Sequence, residues 1–391
     1  MQITFFSNYF NHHQQALCDE LYRQNDGNFT FVETEPMEEF RTGMGWGVKD
    51  MPSYVLKSYL GEKEKKEAMR LGEESDVVMI GSAPEDFVEK RLSKNRLTFR
   101  YTERPLKEGT VKMLIPRLAR KFYHLHYRNR KKNIYVLGAS AYAASDYKKL
   151  HSYPGKCLKF GYFPFIHSRR EEELMAEKRK NQPVEILWTG RFLRLKRADL
   201  LLKACGELKR HNVRFHLTMI GSGEEEQRLK ALAEKEGLRE SVTWKGFLSP
   251  EEVRAEMEKA NIYVMTSNFL EGWGSVIYEG LSAGCAVVAS HACGSAPWLV
   301  KPSENGFLFE SGRFKSLYDK LYRLCTDREL TERLGRKAYH QMQEVWNPTV
   351  AAGRIIEMSV ALLNEETVAY EDGPLSPAPV LKNHWYKEGT L

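Results

Sequence analysis

Two glutamates, Glu271 and Glu279, enclose the stretch Gly272-Trp273-Gly274-Ser275. Glycine lets backbone come close to a ligand. Gly274 or Ser275 can cap a helix running to about Ala283. A helix N-terminus presents N–H groups and partial positive charge, so it suits an anion such as phosphate. Glu279 follows one turn after Ser275 and lies on the same helical face. Carboxylates repel phosphate, so their natural partners here are hydroxyl donors, and sugar hydroxyls fit at both ends. The plainer reading is a capped helix with solvated glutamates.

Upstream, Gly190-Arg191-Phe192-Leu193-Arg194-Leu195-Lys196-Arg197 follows an apolar run. Arginine offers a planar fork to phosphate oxygens and lysine a point charge. A solvated basic turn leading into a helix is the alternative. Gly221-Ser222-Gly223 and then three glutamates follow another apolar run. A third glycine is missing, so this is a weak dinucleotide fingerprint and a better tight turn beside a ligand.

The first half offers less. Ser7-Asn8-Tyr9-Phe10-Asn11-His12-His13 closes its first apolar run, and Asn11 is placed to cap a helix to about Arg23. The His12–His13 pair either faces a ligand or sits on an exposed turn, and no third metal ligand is nearby. Ser82 and Glu85 follow a second run. Glu103 and Arg104, beside Lys107, follow a third, where they either orient a hydroxyl or form a loop ion-pair network. From Val111 to Ser145 there is no acid, while Lys112, Arg117, Arg120, Lys121, Arg128, Arg130, Lys131 and Lys132 alternate with apolar side chains. A basic amphipathic helix of this kind attracts anionic lipid; a core-facing helix with a solvated basic face is the plainer reading. No RNA-recognition motif accompanies the charge, so nucleic acid is not an expected partner.

These residues need elements to hold them. Strand-like runs are expected at Gln2–Ser7, Phe29–Glu33, Asp76–Gly81, Leu97–Tyr101 and Asn133–Gly138. A second set is expected at Val184–Gly190, Phe215–Gly221, Val242–Phe247, Ile262–Ser267, Ala286–Ser290 and Gly306–Phe309. Each is apolar on both faces and separated from the next by a helix-length amphipathic segment, the pattern of buried parallel strands. The 391 residues therefore divide into two α/β domains of the doubly wound, Rossmann-like kind. The domains are expected at 1–165 and 183–348, with a helix and tail at 349–391 packing back on the first. Pro348 suits the first turn of that helix, expected at Val350–Glu366. The charged run Arg169–Lys180 reads as a solvated helix or linker.

Lys and Arg number 59 against 52 Asp and Glu, a formal net charge of +7, too mild to mark a nucleic-acid binder. The 6 cysteines lack a CxxC pair, which points away from a disulfide framework or zinc site and toward a reducing compartment. No N-terminal signal segment and no apolar run long enough for a membrane span are read. The expected location is cytoplasmic, or peripheral on the inner face of the plasma membrane.

The ordered set from about Val184 to Arg354 resembles the C-terminal half of GT4-type retaining glycosyltransferases. It comprises Arg191 and Lys196, Gly221-Ser222-Gly223, Lys245-Gly246-Phe247, the E-x7-E pair Glu271 and Glu279, Gly284–Ser290, Cys293-Gly294 and Asn305-Gly306. That resemblance implies the GT-B architecture, two Rossmann-like domains facing a cleft with a C-terminal helix crossing back. It implies a nucleotide-diphosphate sugar as donor, no metal or other cofactor, and a glycan or lipid-linked acceptor, as in bacterial surface polysaccharide assembly. Arg191 and Lys196 would neutralise the diphosphate from beside Gly190. Glu279 would bind ribose hydroxyls and Glu271 a hydroxyl of the sugar. Backbone at Gly272, Trp273, Gly274 and Ser275 would meet sugar or phosphates, and Phe247–Leu248 would lie near the base. Asn11, His12, His13, Ser82, Glu103 and Arg104 are acceptor-side candidates. Two departures stand out. Many relatives carry an acid where this chain has Pro297-Trp298, and a histidine where it has Arg100–Lys107. A nucleotide-sugar epimerase of the same fold, or a non-catalytic binding homologue, are the alternatives.

Overall fold

The computed structural model describes residues 1–39, 43, 47, 48 and 50–388. The chain forms two compact units, Met1–Phe165 with Val345–Leu381, and Ile166–Glu344 with the segment from Lys382 onward.

In the first unit the strands are β1 (Ile3–Ser7), β2 (Phe29–Glu33), β3 (Val55–Lys57), β4 (Val77–Ile80), β5 (Thr98–Thr102), β6 (Ile134–Gly138) and β7 (Cys157–Lys159). They form one parallel sheet in the order β3-β2-β1-β4-β5-β6-β7. Its inner strands are buried on both faces, as Val77-Val78-Met79-Ile80 shows. β3 and β7 were not expected. They are three-residue edge strands whose side chains are mostly half-buried, too short and too polar to register as an apolar run.

The second unit holds β8 (Val184–Thr189), β9 (Phe215–Ile220), β10 (Val242–Gly246), β11 (Ile262–Met265), β12 (Ala286–Ser290) and β13 (Gly306–Phe309). The order is β10-β9-β8-β11-β12-β13, again all parallel. Ile186, Trp188, Leu217, Val264 and Val288 meet Leu201, Leu208, Leu321 and Leu334 from the flanking helices in one core. Each such side chain contributes about 1.5–3 kcal/mol on full burial. Chain order runs outward from β8 in one direction and then resumes at β11 on its other side. β8 and β11 therefore flank a topological switch point, at whose carboxyl end open α/β sheets receive ligands.

The run Arg169–Lys180 contains the helix Glu171–Arg179, which belongs to the second unit. The late helix is Pro348–Leu363, capped by the Asn347 side chain, which accepts from Val350 N at 2.8 Å, with Pro348 in its first turn. It lies against the helix His12–Gln24 in the first unit, where Gln24 Nε2 donates to Thr349 O at 3.0 Å. The tail is divided. Leu158 and Pro377 form a bridge on the first sheet, while residues from Lys382 onward join the second unit. The aromatic side chains of Trp385 and Tyr386 find cover there, against His291.

The acid-free stretch is not one helix. A 3-10 turn at Thr110–Leu114, the helix Pro116–Phe122 and a π-helical turn at Tyr123–Tyr127 follow one another. Pro116 cannot continue a preceding helix, because it lacks an N–H and its ring fills the space of the turn before it. Arg117, Arg120, Lys121, Arg128 and Lys131 are exposed. Lys132 is not part of that face, since its Nζ donates to Leu92 O at 2.7 Å. Among the described residues no helix is long and apolar enough to cross a membrane.

Candidate functional site

The turns after β8 and β11 are stitched together, and the stitching delivers two of the candidate residues to each other. Trp188 Nε1 donates to Thr266 Oγ1 at 3.0 Å, and Thr266 Oγ1 donates to Lys196 O at 2.6 Å. Asn268 N donates to Leu195 O at 3.0 Å. With both backbones held this way, Lys196 Nζ reaches Glu271 Oε2 at 2.7 Å. The two side chains are only 18% and 14% exposed, so solvent screens the pair less than it would a surface one. Arg191 is exposed on the same loop. Arg197 is tied to Asp199 at 3.0 Å and Arg194 points to solvent, so the four-residue basic run divides into unlike roles.

The Gly-Ser-Gly turn after β9 packs backbone to backbone on the Gly190 loop. Phe192 N donates to Ser222 O at 2.8 Å, and Gly221 N donates to Gly246 O at 2.7 Å. A Cβ on Gly221, whose φ is +129°, would stand 2.0 Å from Gly190 O. The glycine is required for this close approach, whatever binds above it. Phe247 and Leu248 lie just beyond β10, with Phe247 exposed.

Gly274 caps the helix Ser275–Ser282 in the left-handed region, at φ +80°. Its carbonyl accepts from Ser295 Oγ at 3.3 Å, and the Trp273 carbonyl accepts from Ser295 N at 2.9 Å. The segment after β12 therefore holds the glycine turn in place. Trp273 is buried, with its ring 5.9 Å from that of Trp298. This gives Pro297-Trp298 a physical account: the side chain at 298 is buried against an indole, where a carboxylate would be desolvated. Glu279 is half-buried one turn into the helix. Burial raises its pKa, and the Arg254 guanidinium opposes that shift. Arg254, on the helix Pro250–Lys259, was missed in the sequence, where it reads as an ordinary basic position of an amphipathic helix.

In the first unit Asn11 does cap the helix His12–Gln24, its Oδ1 accepting from His13 N at 3.0 Å. The His12 and His13 rings stand 3.9 Å apart, and the Tyr162 ring is 6.2 Å from that of His13. Burial, with His12 adding to it, lowers the His13 pKa to about 3, so the ring is neutral near pH 7. Glu103 accepts from Tyr162 OH at 3.1 Å, with Lys107 Nζ at 3.6 Å. Arg104 is committed elsewhere. Its Nε and Nη2 donate to the buried Asp146 carboxylate, both at 3.1 Å, which makes it a structural ion pair. Glu85 is taken by Arg100 at 2.5 and 3.0 Å, and Ser82 is exposed beside it. Among the described residues no cluster of three His, Cys, Asp or Glu side chains is placed to hold a metal ion.

Residues 169–341 match the family model described as glycosyl transferases group 1. Two curated relatives are the putative colanic acid biosynthesis glycosyltransferase WcaL of Escherichia coli K12 and the amylovoran biosynthesis glycosyltransferase AmsK of Erwinia amylovora. The first is 28% identical over 181 residues, 44% of this chain and 44% of that protein. The second is 30% identical over 149 residues, 37% of this chain and 36% of that protein. The chain thus spans less than half the length of these relatives. Among solved structures, Anabaena Alr3699/HepE in complex with UDP is 15% identical, with a TM-score of 0.66, over 92% of this chain and 99% of that one. WaaG, a glycosyltransferase involved in lipopolysaccharide biosynthesis, is 16% identical, with a TM-score of 0.57, over 91% and 98%. At these identities the likeness is one of fold, the α/β GT-B class.

Proposed function

Residues 169–341 match the family model of glycosyl transferases group 1, and from that match we propose that the chain is a retaining glycosyltransferase. It moves a sugar from a nucleotide-diphosphate donor to an acceptor hydroxyl. The observation that carries this reading is the convergence of Lys196 and Glu271 at the β8/β11 switch point, beside the helix N-terminus at Gly274. The bond between the anomeric carbon and the diphosphate oxygen breaks, the acceptor oxygen bonds to that carbon on the same face, and the acceptor hydroxyl's proton leaves with the diphosphate. Negative charge develops on the departing diphosphate. Arg191, Lys196 and the N–H groups at the start of the helix Ser275–Ser282 are preorganised for it. Glu271 holds a sugar hydroxyl and Glu279 the ribose. With these cations supplying the countercharge, transfer needs no metal. Complexes of Anabaena Alr3699/HepE with UDP and with UDP-glucose support a nucleotide-sugar donor. The test is a screen of nucleotide sugars with product analysis by NMR, run with and without EDTA. The expected result is a product that keeps the donor's anomeric configuration and a rate that survives EDTA. An inverted product, or a rate abolished by EDTA and restored by manganese, defeats the mechanism.

The acceptor is lipid-linked in this reading, and the relatives' named roles in colanic acid and amylovoran biosynthesis support a glycan acceptor. Val111, Leu114, Ile115 and Tyr123 are exposed beside Arg117, Arg120 and Lys121 in the first unit. Exposed apolar and basic groups together suit an anionic bilayer surface, at about 1 kcal/mol per basic residue. The protein is expected to sediment with anionic liposomes at low salt and to release as salt rises. Replacing Arg117, Arg120 and Lys121 together with Gln should weaken binding about tenfold or more. Wild-type protein that stays in the supernatant at low salt points to a soluble acceptor.

A further inference from the structure

The segment after β12 holds more than the glycine turn. His291, directly past the strand, is 3% exposed. Its Nδ1 accepts from Ser311 N at 3.0 Å, which places the proton of the neutral ring on Nε2. Nε2 then donates to Asn383 O at 3.1 Å, in the C-terminal segment. Burial lowers the pKa of this histidine, consistent with a neutral ring. One face of the imidazole stacks on Tyr386, with centroids 5.5 Å apart and planes 29° apart. Phe269 meets the same imidazole edge-on at 5.4 Å and 84°. The Tyr386 hydroxyl donates to Leu308 O in β13 at 2.8 Å, and Glu388 pairs with Lys320 at 3.0 Å. Phe269 belongs to the loop that carries Glu271, two positions on. The row of rings therefore runs from the C-terminal segment through His291 to the Glu271 loop.

We infer that Asn383–Tyr386 form a C-terminal clasp that positions the Glu271 loop through His291 and Phe269. These are positioning residues. Ser295 fixes the far end of that loop at Trp273 and Gly274, and the clasp fixes its near end at Phe269. Aromatic contacts of this geometry add stability beyond the area they bury. A loop anchored at both ends holds a side chain to the tolerance that transfer needs. The inference rests on the proposed function for its kinetic readout, and amide exchange supplies a second readout that does not.

The test uses the full chain carrying Tyr386→Ala, Tyr386→Phe or His291→Gln. Tyr386→Ala should lower kcat about tenfold while leaving affinity for the nucleoside diphosphate alone within about twofold. Amide hydrogen exchange across residues 267–274 should quicken by about tenfold. Tyr386→Phe keeps the stacking ring and should restore most of kcat. His291→Gln should reproduce the loss, and it serves alone if Tyr386→Ala does not fold. Unchanged exchange across 267–274 overturns the clasp. So does exchange that quickens evenly through the whole second unit, because the segment would then support the fold in general. A parent protein that transfers no sugar from any nucleotide sugar defeats the proposed function, and the exchange result still decides the clasp.

Discussion

Lys196→Ala is expected to lower kcat/KM by about 10²-fold or more, the usual cost of deleting a preorganised charge contact to a transition state. The geometry adds to that cost. Lys196 is paired with Glu271 at 2.7 Å in a mostly buried setting. Removing the lysine takes a cation from the proposed diphosphate site and leaves the Glu271 carboxylate uncompensated beside it. Arg191→Ala, at an exposed position of the same loop, should also lose about 10²-fold. The two changes can be separated by charge. Lys196→Ala combined with Glu271→Gln should show less loss than the two single losses multiplied, because residues in direct contact are not additive. Steady-state kinetics and melting curves suffice. Activity within a few-fold of the parent for both single variants would remove the diphosphate role from this loop.

Much of the fold is legible in the sequence because parallel strands are buried on both faces. Val77–Ile80 and the first four residues of Ala286–Ser290 are unbroken apolar runs, and such runs locate strands. Edge strands escape that signal, as Val55–Lys57 and Cys157–Lys159 do. The positions of Lys196 and Glu271 after their strands are legible too, but their contact is not. It depends on a threonine hydroxyl, Thr266 Oγ1, reaching a carbonyl 70 residues away in the chain. Distance in sequence also hides Arg104, whose carboxylate partner Asp146 lies 42 residues on. The acid-free stretch misleads for another reason. Its charge pattern suits one long helix, but Pro116 and a π-helical turn break it, and Lys132 turns inward to a carbonyl. In the tail, the informative residues are the aromatic pair Trp385 and Tyr386, which need burial and find it against His291.

Glu271 and Glu279 should fail in different ways. Glu271→Ala is expected to leave nucleoside diphosphate binding within about twofold and to lower kcat by about 10²-fold, because its proposed contact is with the sugar as it leaves. Glu279→Ala should weaken binding of the nucleoside diphosphate itself by about tenfold, the cost of losing the proposed hydroxyl–carboxylate hydrogen bond. Burial gives this second glutamate a further signature. Its pKa is raised, since desolvation outweighs the opposing Arg254 charge. The carboxylate therefore takes up its proton at a higher pH than an ordinary glutamate would. Protonation removes negative charge from the group proposed to accept the ribose hydroxyls, so affinity should fall as pH is lowered through that raised value. Glu279→Gln cannot titrate, and it should flatten this part of the profile while leaving the ionisation of the ligand's own phosphates unchanged. Calorimetry with the nucleoside diphosphate, for parent, Glu271→Ala and Glu279→Gln across mildly acid pH, separates the cases. If Glu271→Ala loses nucleotide affinity and Glu279→Gln keeps both the affinity and the pH slope, the two roles are reversed. The helix Ser275–Ser282 would then present its carboxylate to the sugar, and the loop before it would face the nucleotide.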